Sequence, residues 1–369
     1  MQDRFVRVLP PDDPEVRALL AALEEVPAES FFLSRWWLDA CLATWPPSAG
    51  HRVLAIGGQA VALLGARTLR RHLWLRSRAL GLNASLDDDL DEPTMELNGF
   101  FGVRGDERFA GLFDALLAWL ETQPGWDEFH VPGVLAARAD AIRALAAHRG
   151  LRVRTTKQAE TWWVDLDAVR ATYNGDYLAA LSPNTRQQLR RARRAIDQNL
   201  GPLAIAEAGT IDEALAWLDE LARLHRARWA VPGTRSGFDI PSFRVFHGRL
   251  IEQAFEAGSI QMLRISAGDT PIAWLYNLVL DGHVHFILSG IDFERFERFK
   301  PGMLAHWMAI ELNLANGARL YDFLGGSQRY KASLGTHSST QRWLALWRPR
   351  PALLLEDWLR GIRRRWRGN

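Results

Sequence analysis

Between Ile260 and Lys331 the apolar positions fall in short runs broken by glycine and aspartate. IQMLRI, PIAWLYNLVL and HVHFILSG are separated by SAGD and by DG, the pattern of an antiparallel meander of three strands. After the polar stretch IDFERFERFK the period changes. Leu304, Trp307, Met308, Leu312 and Leu314 recur at helical spacing, which predicts a helix that starts at Pro301-Gly302 and stops at Asn316-Gly317. RLYDFLGG then predicts one more buried strand, ending in Gly325-Gly326, and SQRYKASLG follows it.

The first half of the chain repeats this order approximately. FVRVL reads as a strand and PEVRALLAALEEV as a helix with Leu19, Leu20 and Leu23 inward; Ser34 caps a helix over RWWLDACLATW. RVLAIGGQAVALLGAR is a hairpin about a Gly-Gly turn, HLWLRSRALGL extends its sheet, and the acidic NASLDDDLDEP is a surface loop. ERFAGLFDALLAWLETQ, WDEFHV and ARADAIRALAAHRG then alternate helix, strand, helix. No residue identity links the halves, so the duplication is one of topology.

This patterning sets the expected organisation. Residues 1–165 form an N-terminal lobe, 166–349 a C-terminal lobe, and 350–369 a basic amphipathic helix with Leu354, Trp358, Leu359, Ile362 and Trp366 along one side. That last helix docks on the protein or lies on an acidic membrane surface. In the second lobe Ser182 caps a helix with Pro183 at its first position and Leu189, Ala192 and Ile196 inward. Arg186, Arg190 and Arg193 gather on another flank, either as a solvated face or as a phosphate site. Two helices follow, joined by VPGTRSGFDI, whose Thr234, Arg235, Ser236 and Phe238 suit a mobile cover.

Composition narrows the chemistry. The 369 residues are 48% hydrophobic and 24% charged, as in a folded soluble chain, and a formal net charge of +2 gives no nucleic-acid signature, so no DNA partner is expected. Neither a membrane-length apolar run nor a signal-peptide pattern is present, which predicts the cytoplasm. Cys41 is the only cysteine, so there is no disulfide and no thiolate cluster; a buried apolar role and a nucleophilic one both stand open for it. Asp87, Asp88 and Asp89 either hold a cation or are solvated. His283 and His285 share one face of a strand, where they either bind metal or line a surface; no metal is expected overall.

Candidate chemistry gathers at the second meander. A helix mouth entered through Lys300-Pro301-Gly302 combines unpaired N–H groups, a close approach at glycine and a full positive charge, which suits a phosphate; an ordinary proline-started helix is the plain alternative. Lys157, Lys300 and Lys331 are the only lysines, and two of them fall here. Asp322 interrupts an apolar strand, so it needs a partner or a raised pKa. Trp36 and Trp37 form either a wall against something flat or a core helix.

The stretches LSPNTRQQLRRARRAI, HRARW, GSIQMLRISAGDTPIAWLYNLV, SGIDFERFERFKPGML and GARLYDFLGGSQRYKASLG, in this order from about Tyr177 to Gly335, resemble the GNAT acyltransferase superfamily. The resemblance is to the branch of CelD/BioF-like acetyltransferases related to Fem peptidyltransferases, and SFFLSRWWLDACLATW resembles its opening. It implies an α/β (α+β) fold of two GNAT-like lobes, each a mixed, largely antiparallel sheet flanked by helices, the first degenerate. It implies transfer of an acyl group from acetyl-CoA or another acyl-CoA to an amine or hydroxyl of a polar, sugar- or envelope-related acceptor. Aminoacyl-tRNA is the alternative donor, and an inactive GNAT-like binding module the alternative to an enzyme.

Such a transfer needs a held donor, hydrogen-bond donors at the developing oxyanion and a proton route. The candidates for the donor's charged groups are Lys300, Gly302, Met303, Arg186 and Arg190, and Asp322 is one for proton handling; the resemblance adds the strand around Ile287 and Ser289 for the carbonyl, and Lys331 with Tyr330 at the donor or transition-state charge. Trp36, Trp37, Trp274, Tyr276 and Asn277 are the expected acceptor side. Lys331 alternatively pairs with Asp322. Two features depart from the family: no long heptad arm appears, which favours acyl-CoA over tRNA, and the Gln/Arg-x-x-Gly-x-Gly/Ala pyrophosphate string of single-lobe members is missing. With no activated serine or cysteine, direct transfer without a covalent enzyme intermediate is expected.

Overall fold

A computed structural model describes residues 5–351 apart from 59, 72–74 and 94. The amphipathic helix expected over 350–369 therefore lies almost wholly outside the described residues. These residues form two compact units, one up to Gln158 together with the stretch from Gln341 on, the other Ala159–Thr340. The expected boundary at Asp165 fell at the end of a long strand; the units divide inside that strand instead, and the closing stretch from Gln341 returns to the first unit.

The N-terminal unit runs β1 (Val6–Leu9), α1 (Pro14–Ala22), α2 (Arg35–Thr44), β2 (Arg52–Ile56), β3 (Ala60–Arg70), β4 (Arg76–Leu82), α3 (Asp106–Thr122), β5 (Glu128–Leu135), α4 (Ala136–His148) and the first half of β6 (Arg152–Asp165). The C-terminal unit takes the rest of β6, then α5 (Leu166–Tyr173), α6 (Tyr177–Ala180), α7 (Pro183–Leu200), β7 (Leu203–Glu207), α8 (Ile211–Trp229), α9 (Pro241–Ala254), β8 (Ile260–Ala267), β9 (Thr270–Leu280), β10 (His283–Ile291), α10 (Phe293–Phe296), α11 (Pro301–Ala315), β11 (Leu320–Gly325) and α12 (Arg329–Leu334). β12 (His337–Trp347) leads back to the first unit.

Within the first unit the strand order is β1-β2-β3-β4-β5-β12, and within the second β6-β11-β10-β9-β8-β7. Each sheet is antiparallel except for one pair, β4–β5 and β10–β11 respectively. The α/β architecture of mixed, largely antiparallel strands flanked by helices is as expected.

Local signals explain where the key helices begin. Ser182 Oγ accepts from the Thr185 N–H at 3.2 Å and Pro183 follows it, so α7 starts where the sequence placed it. Its Leu189 and Ile196 are fully buried, each stabilising by about 1.5–3 kcal/mol. α1 is rotated from expectation: Val16 and Leu23 are buried while Leu19 and Leu20 are half-buried. α11 packs Leu304, Ala305, Ala309 and Ile310 with no exposed surface, and the left-handed Gly317 (φ 81°) follows its end. On the opposite face α8 lies directly on β10, since a Cβ on Gly290 would come within 2.5 Å of the Leu221 Cα.

Candidate active site

β10 and β11 run parallel but pair only at His283–Leu320, Val284–Tyr321 and His285–Asp322. Beyond these positions the register of β10 against β9 shifts between Phe286 and Leu288, and that of β11 against β6 shifts between Asp322 and Gly325. The two irregularities carry the strands apart. From Leu288 to Ile291, β10 keeps its pairing with β9 while its other edge has no strand partner among the described residues. A cavity of about 1160 Å³ opens at this parting, bounded on the β10 side by Phe286, Ile287, Leu288 and Ser289 and opposite by Gly325.

α11 points its first turn into the cavity through Lys300, Gly302 and Met303. Lys300 sits in the left-handed region (φ 54°), and no side chain caps the helix. Its N-terminal partial positive charge is therefore not spent on a capping group. Gly302 fits because a Cβ there would lie 2.9 Å from Ile291 Cδ1. Among the charged lining residues, Arg228, Lys300, Arg329 and Lys331 stand against Glu297 alone, so the wall favours an anion.

The floor is built from a buried cation and stacked rings. Lys331 is 6% exposed, and its Nζ donates to the carbonyls of Phe323 and Gly325, both at 2.6 Å. The residue between those carbonyls, Leu324, is held at φ 58°, and its N–H donates to Asp322 Oδ1 at 2.7 Å. Asp322 and Lys331 thus brace the β11 irregularity from its two sides. Tyr330 stacks on His306 at 5.1 Å and 12°, and His306 Nδ1 lies 3.1 Å from the Tyr321 hydroxyl. Burial pushes the Tyr330 phenol up, so it stays protonated. Burial, with the Lys331 charge adding, pushes His306 down to about 3.

α8 supplies a second imidazole. His225 lines the cavity with Nδ1 2.7 Å from Ser236 Oγ. Burial lowers it to about 4, against the opposing pull of Asp239, so it is neutral at pH 7. The loop expected as a mobile cover is anchored at this point: Ser236 and Phe238 are 1% and 3% exposed, and Ser236 caps a short turn reciprocally with Asp239. Only its earlier part, Val231 and Thr234, reaches the cavity.

Of the residues singled out by sequence, Lys300, Gly302, Met303, Ile287, Ser289, Tyr330 and Lys331 come together around the cavity. Asp322 does not: Tyr321 and Phe323 beside it turn toward His306, while its carboxylate faces the other way, 3.3 Å from His283 Nε2. Arg186 and Arg190 stay on the outer flank of α7, whose Asn184, Thr185 and Gln188 reach the cavity instead. The expected acceptor-side residues are displaced into packing. Trp37 is 1% exposed against Phe32 in the first unit, and Trp36 stacks on Phe31. Tyr276 packs on His247 and Trp274 is buried, while Asn277 belongs to a buried amide chain with Gln261 and Asn313. Sequence reasoning missed His225, His306, Arg228 and Arg329; a lone histidine on a helix carries no local signal, and only the third dimension gathers these four. Burial pushes the Cys41 thiol up, which leaves it inert as a nucleophile.

Residues 183–332 match the family model of the acetyltransferase (GNAT) domain. No curated protein matches the chain. The solved structure of FemX superposes with a TM-score of 0.56 at 11% identity, covering 88% of this chain and 95% of that one. The C-terminal domain (DUF2156) of a putative lysylphosphatidylglycerol synthetase from Agrobacterium fabrum gives 0.54 at 13%, covering 89% and 92%. L-PGS from Bacillus licheniformis gives 0.50 at 12%, covering 94% and 95%. At such identities the likeness is one of fold.

Proposed function

We propose that this chain, whose residues 183–332 match the acetyltransferase (GNAT) domain model, is an acyltransferase that moves an acyl group from acyl-CoA to an amine or hydroxyl of a polar acceptor. The observation that carries this reading is the uncapped start of α11, with Lys300, Arg228, Arg329 and Lys331 around the place where β10 and β11 part. A pyrophosphate fits a helix mouth of that charge. The thioester carbonyl then meets the unpaired edge of β10 after Phe286, where main-chain N–H groups stabilise the oxyanion.

The acceptor attacks that carbonyl, its carbon–nitrogen or carbon–oxygen bond forms, and the carbon–sulfur bond breaks. Neutral His225 takes the acceptor's proton, and the protonated Tyr330 phenol gives one to the leaving thiolate. Lys331 keeps the β11 end in place and adds positive charge to the floor. Asp322 acts only through the brace it shares with Lys331. The name of the lysylphosphatidylglycerol synthetase structure supports an envelope-related acceptor, and acyl-CoA as donor would go with a cytoplasmic reaction.

Aminoacyl-tRNA is the second reading, favoured by one feature. Arg190, Arg191 and Arg194 are exposed on α7, and only Arg193 of that cluster pairs with a carboxylate among the described residues, Asp197. Calorimetric titration separates the readings. Acetyl-CoA binding in the micromolar range that weakens in Lys300→Ala supports the thioester; binding of aminoacyl-tRNA alone transfers the site to the second donor. Binding of neither overturns both and leaves a GNAT-like binding module.

A further inference from the structure

His283 and His285 are two residues apart on β10, so both imidazoles stand on one face of the strand. β11 runs parallel and places Asp322 opposite His285, on the side away from Tyr321 and Phe323. The two imidazole rings lie 3.9 Å apart between centroids. His283 Nε2 is 3.3 Å and His285 Nδ1 3.9 Å from the same carboxylate oxygen, Asp322 Oδ2. One ligand atom from each residue lies within 4.8 Å of the others.

Magnitudes decide what fits there. A zinc-class ion at about 2.0–2.2 Å from nitrogen and carboxylate oxygen sets tetrahedral ligands about 3.3 Å apart. The His283–Asp322 separation of 3.3 Å is already that edge, and the His285–Asp322 separation of 3.9 Å needs only a small ring rotation to reach it. The other carboxylate oxygen, Oδ1, accepts the Leu324 N–H at 2.7 Å, the kind of outer bond that fixes a ligating carboxylate. Side-chain exposures of 24% for His283, 13% for Asp322 and 0% for His285 give an ion a way in past His283. Two imidazoles and one carboxylate without sulfur suit zinc, nickel, cobalt or copper better than magnesium or calcium.

We propose that His283 Nε2, His285 Nδ1 and Asp322 Oδ2 bind one first-row divalent cation of the zinc class, with water completing its shell. None of the three residues lines the cavity described above. The ion is a clip across the last paired position of β10 and β11, fixing the strands where they begin to part. The inference rests on this geometry alone and stands whatever the acyl donor is.

The test uses tag-free full-length protein stripped with a chelator and titrated with zinc(II) and cobalt(II). The expected result is one equivalent bound per chain, a visible cobalt spectrum without a thiolate charge-transfer band, and a melting temperature higher by about 5 °C at a hundredfold excess over Kd. His283→Gln and Asp322→Asn each weaken binding by about tenfold or more; the asparagine keeps an oxygen for the Leu324 N–H. X-ray absorption of the zinc-loaded native protein, which needs no variant to fold, then shows an N/O shell with two imidazoles. Substoichiometric binding, affinity unchanged in both variants, or a shell with fewer than two imidazoles overturns the proposal.

Discussion

In the N-terminal unit β4 and β5 pair in parallel at Ala79–Glu128, Leu80–Phe129 and Gly81–His130; in the C-terminal unit β10 and β11 pair over the same short distance. Each pair follows an antiparallel meander, and each unit sends a long helix between its two parallel strands. The spaces beside them differ. Asn98, 1% exposed, fills the first: its N–H donates to the Gly133 carbonyl at 2.8 Å, its Nδ2 to the Leu82 carbonyl at 2.9 Å, and its Oδ1 accepts from Asn83 Nδ2 at 2.8 Å. The helix beside it, α3, opens with Asp106 and Glu107, and Arg138 bonds Asp106 Oδ1 at 2.8 Å. In the second unit, among the described residues, no buried asparagine fills the parting, and α11 is entered through Lys300. One topology thus yields a cationic cavity only where the gap stays open and the helix mouth carries a lysine.

The largest expected contrast between the units is in pH. Burial holds His225 at about 4, His247 and His306 at about 3 and His285 well below 6.5, whereas the first unit holds His130 at about 4 and lowers His51. Below the unfolded pKa of 6.5 the unfolded chain takes protons that the folded one refuses, so stability is full above that pH and is lost as pH falls toward 4. Each buried imidazole contributes roughly 1 kcal/mol per pH unit to that loss. Hydrogen exchange at pH 7 and pH 5 should show β10 losing more protection than β3; equal losses would erase the contrast.

Next in size is Tyr330→Phe, which should lower kcat about 100-fold with little change in KM, measured as thioester consumption. A full rate would remove the phenol from the proton route. Opening the filled gap comes third. Asn98→Ala removes the Nδ2 donor to the Leu82 carbonyl and one of the two acceptors of Asn83 Nδ2, the Gly99 carbonyl keeping the other, and should cost about 2 kcal/mol in urea unfolding, with donor affinity unchanged. The smallest effect is at the helix mouths: Lys300→Ala should weaken acyl-CoA binding about tenfold, or about 1.4 kcal/mol, while Asp106→Asn leaves it untouched. Equal responses would mean that the charge at the α11 start does not hold the donor.

Much of the second unit was legible because its signals are local. The cap at Ser182, the proline start and glycine stop of α11, and the turns of the meander are each decided within a few residues. The helix-mouth pattern singled out Lys300 and Gly302 and the resemblance Tyr330 and Lys331, and all four line one cavity. Asp322 was misplaced because β11 alternates faces and its irregularity begins at that residue, so sequence distance from Lys331 says nothing about side. Trp274, Tyr276 and Asn277 show the same limit: a strand buried on both faces offers no polar alternation from which to read orientation.

By itself, then, the chain order of apolar periods, turns and caps determined most of the longer elements and the cationic helix start at Lys300, but not β7 or the short helices α5, α6, α10 and α12. Only the tertiary structure decided which gap stays open, that His225 and His306 face it, and that His283, His285 and Asp322 meet behind it. The physical reason is range. Caps and periods act within a few residues, whereas the parting of β10 and β11 depends on registers set by β9 and β6, strands far away along the chain.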